Sequence, residues 1–174
     1  RAGRIAAYKA ANGVVRQNAG ASLVDLGDDV ACIELHSHKD AIGEDILRMI
    51  TDSLRPDGDA VRNFNAFVIS GDAENFSVGA NLLRLLLSIQ EEEWDEVDLA
   101  IRAFQGMTAS IKFCPRPVVV APFGMCLGGG AEMALHASRR QVHAELYMGL
   151  VEAGVGLIRA GGGCKEMLLR AIDA

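Results

Sequence analysis

The chain has 174 residues, a length that fits one domain of ordinary size or a piece of a larger protein. Half of the residues are hydrophobic but only 5% are aromatic, so aliphatic side chains and alanine must fill a substantial core. The formal net charge of −6 argues against a general nucleic-acid binder, which normally presents a basic face.

Positive charge is concentrated at the start of the chain. The charged residues among the first twenty are Arg1, Arg4, Lys9 and Arg16. This segment carries +4, so residues 21–174 must carry −10 to give the total of −6. We interpret residues 1–20 as a solvated basic linker or helical arm, with membrane or nucleotide contact as the alternative, and residues 21–174 as the folded core.

Residues 22–58 have the pattern of two strands followed by a helix. Apolar residues flank the turn signal Gly27-Asp28-Asp29 within residues 22–36, as in two short strands. Residues 41–54 place apolar side chains at helical spacing on one face, and Gly58 lies where a helix stop is expected.

A buried strand followed by helices is predicted over residues 65–111. Residues 65–71 form a short apolar run that ends at a glycine. Helical patterns follow over residues 82–87 and 94–111, with three glutamates between them. We expect the leucines of residues 82–87 to lie in the helix core rather than to form an acyl-binding stripe.

The last third of the chain repeats the order of strand, turn and helix. We predict a buried strand over residues 116–124, a helix over 131–139, a strand over 141–149 and a final helix over 165–174. This recurring order indicates an α/β protein with largely buried strands. Because the chain lacks an initiator methionine and its final helix looks unfinished, we expect a trimmed fragment.

The cysteines and histidines lack the spacing of a metal site. The four cysteines form no C-x-x-C pair, which argues against zinc binding and against a disulfide framework. A reducing compartment, the cytoplasm, is therefore expected. No apolar stretch is long enough to span a membrane and no signal peptide is visible, so we expect no membrane partner.

Two apolar strands each lead to a glycine-bearing turn that opens a helix. The first turn contains Gly79-Ala80, and the second is Gly128-Gly129-Gly130. Helix N-termini expose unpaired N–H groups, and small residues let another group approach them. If the turns face each other, two N–H groups can converge on one oxygen and stabilise an oxyanion. A plain tight turn is the alternative for each, and neither matches the dinucleotide fingerprint G-x-G-x-x-G.

Two glutamates accompany the second turn. Glu132 follows the triple glycine by two residues, and Glu152 lies in the mostly apolar segment 146–158. The simpler explanations are a helix-dipole residue for Glu132 and an exposed loop acid for Glu152. Together, two carboxylates around one water can act as general base and general acid.

Four segments resemble motifs of the enoyl-CoA hydratase/isomerase (crotonase) superfamily. Residues 75–82 (NFSVGANL) and 116–137 (RPVVVAPFGMCLGGGAEMALHA) are similar to its two oxyanion-hole segments. Residues 147–163 (YMGLVEAGVGLIRAGGG) are similar to the segment with its second acid, and residues 36–47 (HSHKDAIGEDIL) to an early motif at the coenzyme A site. The sequences of these motifs particularly resemble the hydratase part of multifunctional 3-hydroxyacyl-CoA dehydrogenases of fatty-acid oxidation.

The resemblance implies roles for individual residues. The N–H groups of Ala80 and Gly129 would hold the thioester carbonyl. Glu132 would activate water, and Glu152 would donate a proton. The residues implied at the coenzyme A site are Ala41, Val78, Ala80, Asn81 and Gly128.

The resemblance also implies a fold and partners. The expected fold is α/β, a crotonase-like spiral of ββα units, here without the family's C-terminal helical region. The expected partners are an acyl-CoA thioester and further copies of the chain, with no nucleic acid. No metal or other cofactor is expected, because coenzyme A arrives as part of the substrate.

Three residues depart from the family pattern. Asn81 stands where many relatives have Asp, and Val151 where many have Pro; both changes look tolerable. Arg159 replaces a usual Pro, and we expect it to shift the loop that positions Glu152.

These features favour an enoyl-CoA hydratase that adds water reversibly to trans-2-enoyl-CoA in fatty-acid β-oxidation. One alternative is an isomerase of the same superfamily, in which a single acid need act. Another is a non-catalytic domain that binds acyl-CoA or serves in assembly. A nicotinamide-dependent dehydrogenase is rejected for this segment because the fingerprint is absent.

Overall fold

Ten strands and seven α-helices make up the structure, a computed structural model that describes residues 4–172. In chain order the strands are β1 Val14–Gln17, β2 Ala21–Asp25, β3 Val30–Leu35, β4 Ala41–Ile42, β5 Ala66–Gly71, β6 Gly79–Ala80, β7 Val118–Val120, β8 Met125–Leu127, β9 Arg139–Arg140 and β10 Tyr147–Gly149. The helices are α1 Arg4–Asn12, α2 Glu44–Ser53, α3 Asp59–Asn63, α4 Leu82–Gln90, α5 Trp94–Lys112, α6 Gly129–His136 and α7 Gly163–Ile172. Two 3-10 helices cover His38–Asp40 and Glu152–Val155.

A six-stranded mixed sheet, in the order β1-β2-β3-β5-β7-β9, forms the frame of the protein. The first three strands are antiparallel neighbours, and the pairs from β3 to β9 are parallel. Two small parallel sheets, β4 with β6 and β8 with β10, lie outside this frame. The predicted α/β class with a parallel-rich sheet is confirmed.

Aliphatic side chains from the sheet and the helices fill the main core, as the composition predicts. Ile33 and Ile69 are fully buried on neighbouring strands, and Ile46 and Ile50 from α2 belong to the same cluster. Apolar residues at helical spacing give α2 one buried face, and the helix packs against β2 and α5. None of the helices in the described part of the chain is long and apolar enough to cross a membrane.

Several element boundaries differ from those predicted. The helix predicted over 41–54 begins at Glu44, because Ala41 and Ile42 instead pair with β6. Gly58 precedes a further helix, α3, which the sequence pattern missed. The predicted helix 131–139 is α6, which starts at Gly129, and only the end of the predicted strand 141–149 is extended, as β10.

The leucines of α4 contradict the expectation that they lie in a core. Leu82, Leu83, Leu86 and Leu87 are between 39% and 67% exposed. Their helical spacing is real, but α4 packs beside α5 and leaves these four side chains exposed. Periodicity therefore predicted the helix correctly and its burial wrongly.

The described part of the basic segment is folded onto the sheet. α1 packs against β2, with Ile5 buried in a small cluster beside Val24 and Cys32. Lys9 forms an ion pair with Glu34, and β1 is an edge strand. Arg1 lies outside the described residues, as does the end of the predicted final helix at 173–174.

A buried carboxylate joins α5, α6 and α7. Glu166 is only 3% exposed, and its oxygens lie 2.5 Å from Lys112 Nζ, 2.9 Å from Lys165 Nζ and 3.1 Å from Arg170 Nη1. His136 Nε2 lies 3.5 Å from the same carboxylate. Burial alone raises the pKa of Glu166, but the hydrogen bonds from the three cations outweigh it and lower that pKa to about 2.

We expect Glu166→Gln to lower the free energy of unfolding by about 2 kcal/mol at neutral pH, because it leaves three clustered cations without their carboxylate. The depressed pKa stabilises the fold above about pH 4.5 and loses this effect as the pH falls towards 2. Urea unfolding of parent and variant should therefore differ at pH 7 and converge near pH 2. The control Glu96→Gln, at an exposed position of α5, should change stability by less than about 0.5 kcal/mol. An equal loss in both variants, or no convergence in acid, would contradict this account.

Candidate active site

The two glycine turns lie side by side. Ser77, just before the first turn, donates from its N–H to Met125 O at 3.0 Å and accepts from Leu127 N–H at 2.9 Å. Met125 and Leu127 belong to β8, the strand that leads to the second turn. A Cβ atom placed on Gly79 would lie 3.5 Å from the amide nitrogen of Gly129. The structure therefore brings the two predicted oxyanion-hole segments into contact.

Glycine is required at two positions in these turns. The backbone φ is +99° at Gly79 and +51° at Gly128, values that other residues rarely adopt. A Cβ atom on Gly79 would lie 3.2 Å from Leu127 O, and one on Gly128 would lie 3.2 Å from Glu152 Oε1. Both the left-handed conformation and the narrow space exclude a side chain. Gly128 thus separates the first turn from the carboxylate of Glu152.

Most of the residues predicted to line the coenzyme A channel meet at one small sheet. They are Ala41, Val78, Ala80 and Asn81. In the parallel pair of β4 and β6, Ala41 is opposite Gly79 and Ile42 is opposite Ala80. Ala80 and Asn81 are exposed, so this edge beside the glycine turns is open to a ligand. Gly128, the fifth predicted residue, lies on the neighbouring turn.

Helix α6 starts between the turns and is buried along its whole length. Gly129 is its first residue, so the Gly129 N–H has no acceptor within the helix. A Cβ atom on Gly129 would lie 2.5 Å from Cζ of Phe104, so the helix start depends on a small residue there. Glu132 follows in the first turn of α6, as predicted.

The Glu132 carboxylate is buried and is held by backbone N–H groups. Glu132 is only 3% exposed. Gly163 N–H donates to Oε1 at 2.8 Å, and Gly161 N–H donates to Oε2 at 3.2 Å. Both donors come from the glycine run that follows Glu152 in the chain. Glu132 therefore binds this loop in addition to lying at the positive end of the helix dipole.

The pKa of Glu132 is raised above its ordinary value. Burial is the largest cause, and the charge of Glu152 acts in the same direction. The N–H groups of Gly163 and Gly161 and the positive charge of Arg159 act to lower this pKa. The two predicted acids therefore lie close enough to influence each other.

Glu152 begins the short 3-10 helix Glu152–Val155 and is partly buried. Its Oε1 faces Gly128, because a Cβ atom placed on Gly128 would lie 3.2 Å from it. Its Oε2 is buried and has no hydrogen-bond partner among the described residues. An unpaired buried carboxylate oxygen is costly, so this atom is available to a water or a substrate proton.

Helix α5 supports the loop that binds Glu132, a contribution that the sequence reasoning missed. Thr108 Oγ1 donates to Gly161 O at 2.9 Å, and Gln105 Nε2 donates to Ala160 O at 2.9 Å. Phe104 fills the space that side chains on Gly129 and Gly161 would need. In sequence these three residues are only part of a helical pattern. No local signal connects them to a loop more than fifty residues away.

Arg159 lies at the edge of this site and does not displace the loop from Glu132. Its Nη2 donates to Leu150 O at 3.4 Å, while the loop still presents Gly161 N–H to Glu132. Arg159 also lines a cavity of about 460 Å³ together with Gly149 and Leu150. The loop thus keeps its contacts to Glu132, and the expected effect of Arg159 on the position of Glu152 stays a prediction.

The described residues contain no group of three or more His, Cys, Asp or Glu side chains that could hold a metal ion. His136 lies one turn after Glu132 in α6, and its Nδ1 lies 2.7 Å from the backbone carbonyl oxygen of Glu132. Burial lowers the pKa of His136. Its contacts identify it as part of the packing between α6 and α7.

Known proteins resemble the chain in sequence. The family model described as Enoyl-CoA hydratase/isomerase matches residues 26–174. The "Probable 3-hydroxyacyl-CoA dehydrogenase" of Bacillus subtilis (strain 168) is 51% identical over 163 residues, which cover 94% of this chain. The chain spans only 20% of the length of that relative. The resemblance found in the four sequence motifs is thereby confirmed.

Solved structures share the fold. An enoyl-CoA hydratase from Polaromonas sp. JS666 superposes with a TM-score of 0.75 at 24% identity, over 84% of this chain and 56% of that one. The enoyl-CoA hydratase from Bacillus anthracis gives a TM-score of 0.71 at 23% identity, over 85% and 57%. The predicted crotonase-like fold is confirmed.

We expect Gly161→Ala to push the Glu132 carboxylate out of its site. The new Cβ atom would overlap Glu132 Oε2 and lie 2.5 Å from Cε1 of Phe104. The clash and the lost hydrogen bonds should lower the free energy of unfolding by about 2 kcal/mol in urea titrations. Gly106→Ala is the control, because a Cβ atom there meets nothing within 4 Å and alanine should stabilise α5 by up to about 1 kcal/mol. Equal effects of the two substitutions would contradict the described packing around Glu132.

Proposed function

The chain belongs to the Enoyl-CoA hydratase/isomerase family, and we propose that it catalyses the reversible addition of water to trans-2-enoyl-CoA, giving 3-hydroxyacyl-CoA. The main support for hydration is the presence of two interacting carboxylates, Glu132 and Glu152, beside the paired glycine turns. Hydration needs one group to activate water and another to manage a proton, whereas moving a double bond needs only one acid.

Glu132 is proposed to activate the water. The N–H groups of Gly161 and Gly163 fix the carboxylate, and its raised pKa makes it a better proton acceptor than an exposed glutamate. As the water oxygen bonds to C3 of the substrate, Glu132 takes the released proton. The electron pair of the C2=C3 double bond moves towards C2 and the thioester oxygen.

Glu152 is proposed to supply the proton at C2. Its Oε2 is buried and has no partner in the described residues, while Oε1 lies against Gly128. This oxygen is therefore placed to carry the proton inside the site, away from bulk water. Donation to C2 completes the addition and leaves Glu152 ionised; proton exchange restores the pair.

The two turns are proposed to stabilise the enolate-like thioester. The Gly129 N–H lies at the start of α6, where the positive end of the helix dipole also favours a developing oxyanion. Ala80, on the adjoining strand β6, is the second proposed donor. The exposed edge of β4 and β6 would bind the pantetheine arm of coenzyme A, so no separate cofactor is proposed.

We further propose that this domain acts within a larger protein of fatty-acid oxidation. The B. subtilis relative, five times longer than the aligned region, has the name of a 3-hydroxyacyl-CoA dehydrogenase. The product of hydration is a 3-hydroxyacyl-CoA, the type of substrate that such a dehydrogenase oxidises. The proposed step would therefore supply the next enzyme in order.

We expect Glu132→Gln and Glu152→Gln each to lower hydration of crotonyl-CoA by about 10²–10⁴-fold, because glutamine cannot exchange a proton at neutral pH. The double variant should be little slower than the slower single variant, since the two acids act as a unit. The measurement is the loss of the enoyl-thioester absorbance, with acyl-CoA binding measured in parallel by calorimetry.

Glu96→Gln is the control for this pair, since it lies at an exposed position of α5. Hydration at the parent rate by Glu132→Gln would contradict the proposed role of Glu132, whereas a parent protein that moves the double bond of 3-enoyl-CoA without hydrating crotonyl-CoA would favour the isomerase alternative. If the parent binds acyl-CoA and converts neither substrate, the binding-domain alternative replaces our proposal.

We expect Ala80→Trp to weaken acyl-CoA binding by about tenfold or more while the fold remains native. Ala80 is exposed on β6, so the indole can be accommodated but would occupy the proposed coenzyme A channel. Calorimetry with a non-reactive saturated acyl-CoA and circular dichroism test the two parts of this expectation. Ala7→Trp, at an exposed position of α1, is the control. Equal affinity in a folded Ala80→Trp would refute the assignment.

A further inference from the structure

Arg159 lies in the short segment of chain between Glu152 and the glycines that bind Glu132. It follows Glu152 by seven residues and precedes Gly161, a donor to Glu132, by two. Through Nη2 it donates to Leu150 O at 3.4 Å, just before Glu152. A single side chain therefore links the segment that carries one acid to the loop that binds the other.

Two polar side-chain atoms in this described part of the chain are buried without a partner. Glu152 Oε2 and Arg159 Nε are both buried, and neither has a hydrogen-bond partner among the described residues. One is an acceptor and the other a donor. Glu132 adds a second buried carboxylate, whose pKa the charge of Arg159 lowers. A positive charge at this position reduces the cost of keeping carboxylates ionised away from water.

Other charged groups near Glu132 have different partners. His136 on α6 contacts the backbone oxygen of Glu132 and not its carboxylate. From α7, Lys165 and Glu166 approach His136, and Glu166 also binds Lys112 of α5. Protonation of His136 would add a positive charge one turn away from Glu132. A pH profile of activity alone could therefore report on either group, so the titration of the Glu132 carboxylate itself must be observed.

We propose that Arg159 is a positioning residue for the acid pair, which ties the Glu152 segment to the Glu132 loop and adds a positive charge to the site. In its kinetic consequences this inference rests on the proposed hydratase function. In its electrostatic consequences it does not. Its two parts are the hydrogen bond to Leu150 and the positive charge.

Three substitutions separate these parts. Arg159→Gln removes the charge and retains an N–H donor, Arg159→Lys retains the charge and loses the planar guanidinium, and Arg159→Met removes both. Arg62→Gln is the control, because Arg62 is exposed on α3 beside Asp59. The Glu132 carboxylate is titrated by carbon-13 NMR in the substrate-free protein, and kcat/KM for crotonyl-CoA is measured against pH.

We expect Glu132 to titrate at higher pH in Arg159→Gln than in the parent, and at the parent position in Arg159→Lys and Arg62→Gln. The sign follows because loss of a nearby cation favours the protonated carboxyl group. The acid limb of kcat/KM should move to higher pH in the same variant. Arg159→Lys should lose about tenfold in kcat/KM with its acid limb unmoved, because the acids are held less accurately.

An unchanged Glu132 titration in Arg159→Gln would overturn the proposal, as would an equal shift in Arg62→Gln. If Arg159→Gln does not fold, Arg159→Met provides the same test of charge. If the parent does not hydrate crotonyl-CoA, the proposed function fails, and the NMR titration alone then decides the role of Arg159.

Discussion

The site depends on the capture of one buried carboxylate by two backbone N–H groups. Glu132 lies in the first turn of a fully buried helix, where an unpaired charge would be strongly destabilising. Gly161 and Gly163 provide the compensating hydrogen bonds, each worth about 1.5–3 kcal/mol when the acceptor is charged. Because these donors follow Glu152 by about ten residues, the same stretch of chain sets the positions of both acids.

This capture explains why glycines cluster where they do. The loop must approach Glu132 and Phe104 so closely that a side chain on Gly161 would overlap both. Near the start of α6, a Cβ atom on Gly79 would lie 3.5 Å from Gly129 N, and one on Gly128 would lie 3.2 Å from Glu152 Oε1. The glycines thus lie where other chain segments approach α6. Their positions allow a charged group, a helix start and a proposed ligand site to occupy the same small volume.

Sequence reasoning succeeded where the signal was local. The strand near residues 65–71, the helical pattern of α5 and the turns before α4 and α6 are visible in short windows of residues. Family motifs then brought Glu132, Glu152 and the glycine turns into one hypothesis, and the structure places them together. Hydrophobic spacing and glycine-bearing turns are properties that a short window of sequence can record.

The missing parts depend on contacts between distant residues. Strand β4 exists because Ala41 and Ile42 pair with β6, almost forty residues later in the chain. The helical pattern therefore predicted a start for α2 that was too early. The exposed leucines of α4 show that spacing identifies a helix but not what covers it. Thr108 and Gln105 bind the loop near Gly161 through bonds that no motif encodes. Packing partners, rather than propensities, decide these features.

Charged side chains complement the dipole of α6 at both of its ends. The two acids lie near the N-terminus of the helix, where the dipole favours negative charge. At the other end, Arg170 Nη2 donates to Leu135 O at 2.6 Å and Arg140 Nη1 donates to Ala134 O at 3.5 Å. Cations that bind the last carbonyl groups complement the negative end of the dipole. Arg170 belongs to α7 and also binds Glu166 of that helix. Helix α7 therefore fixes the C-terminal end of α6, while Gly163, the first residue of α7, binds the Glu132 carboxylate near the N-terminal end of α6.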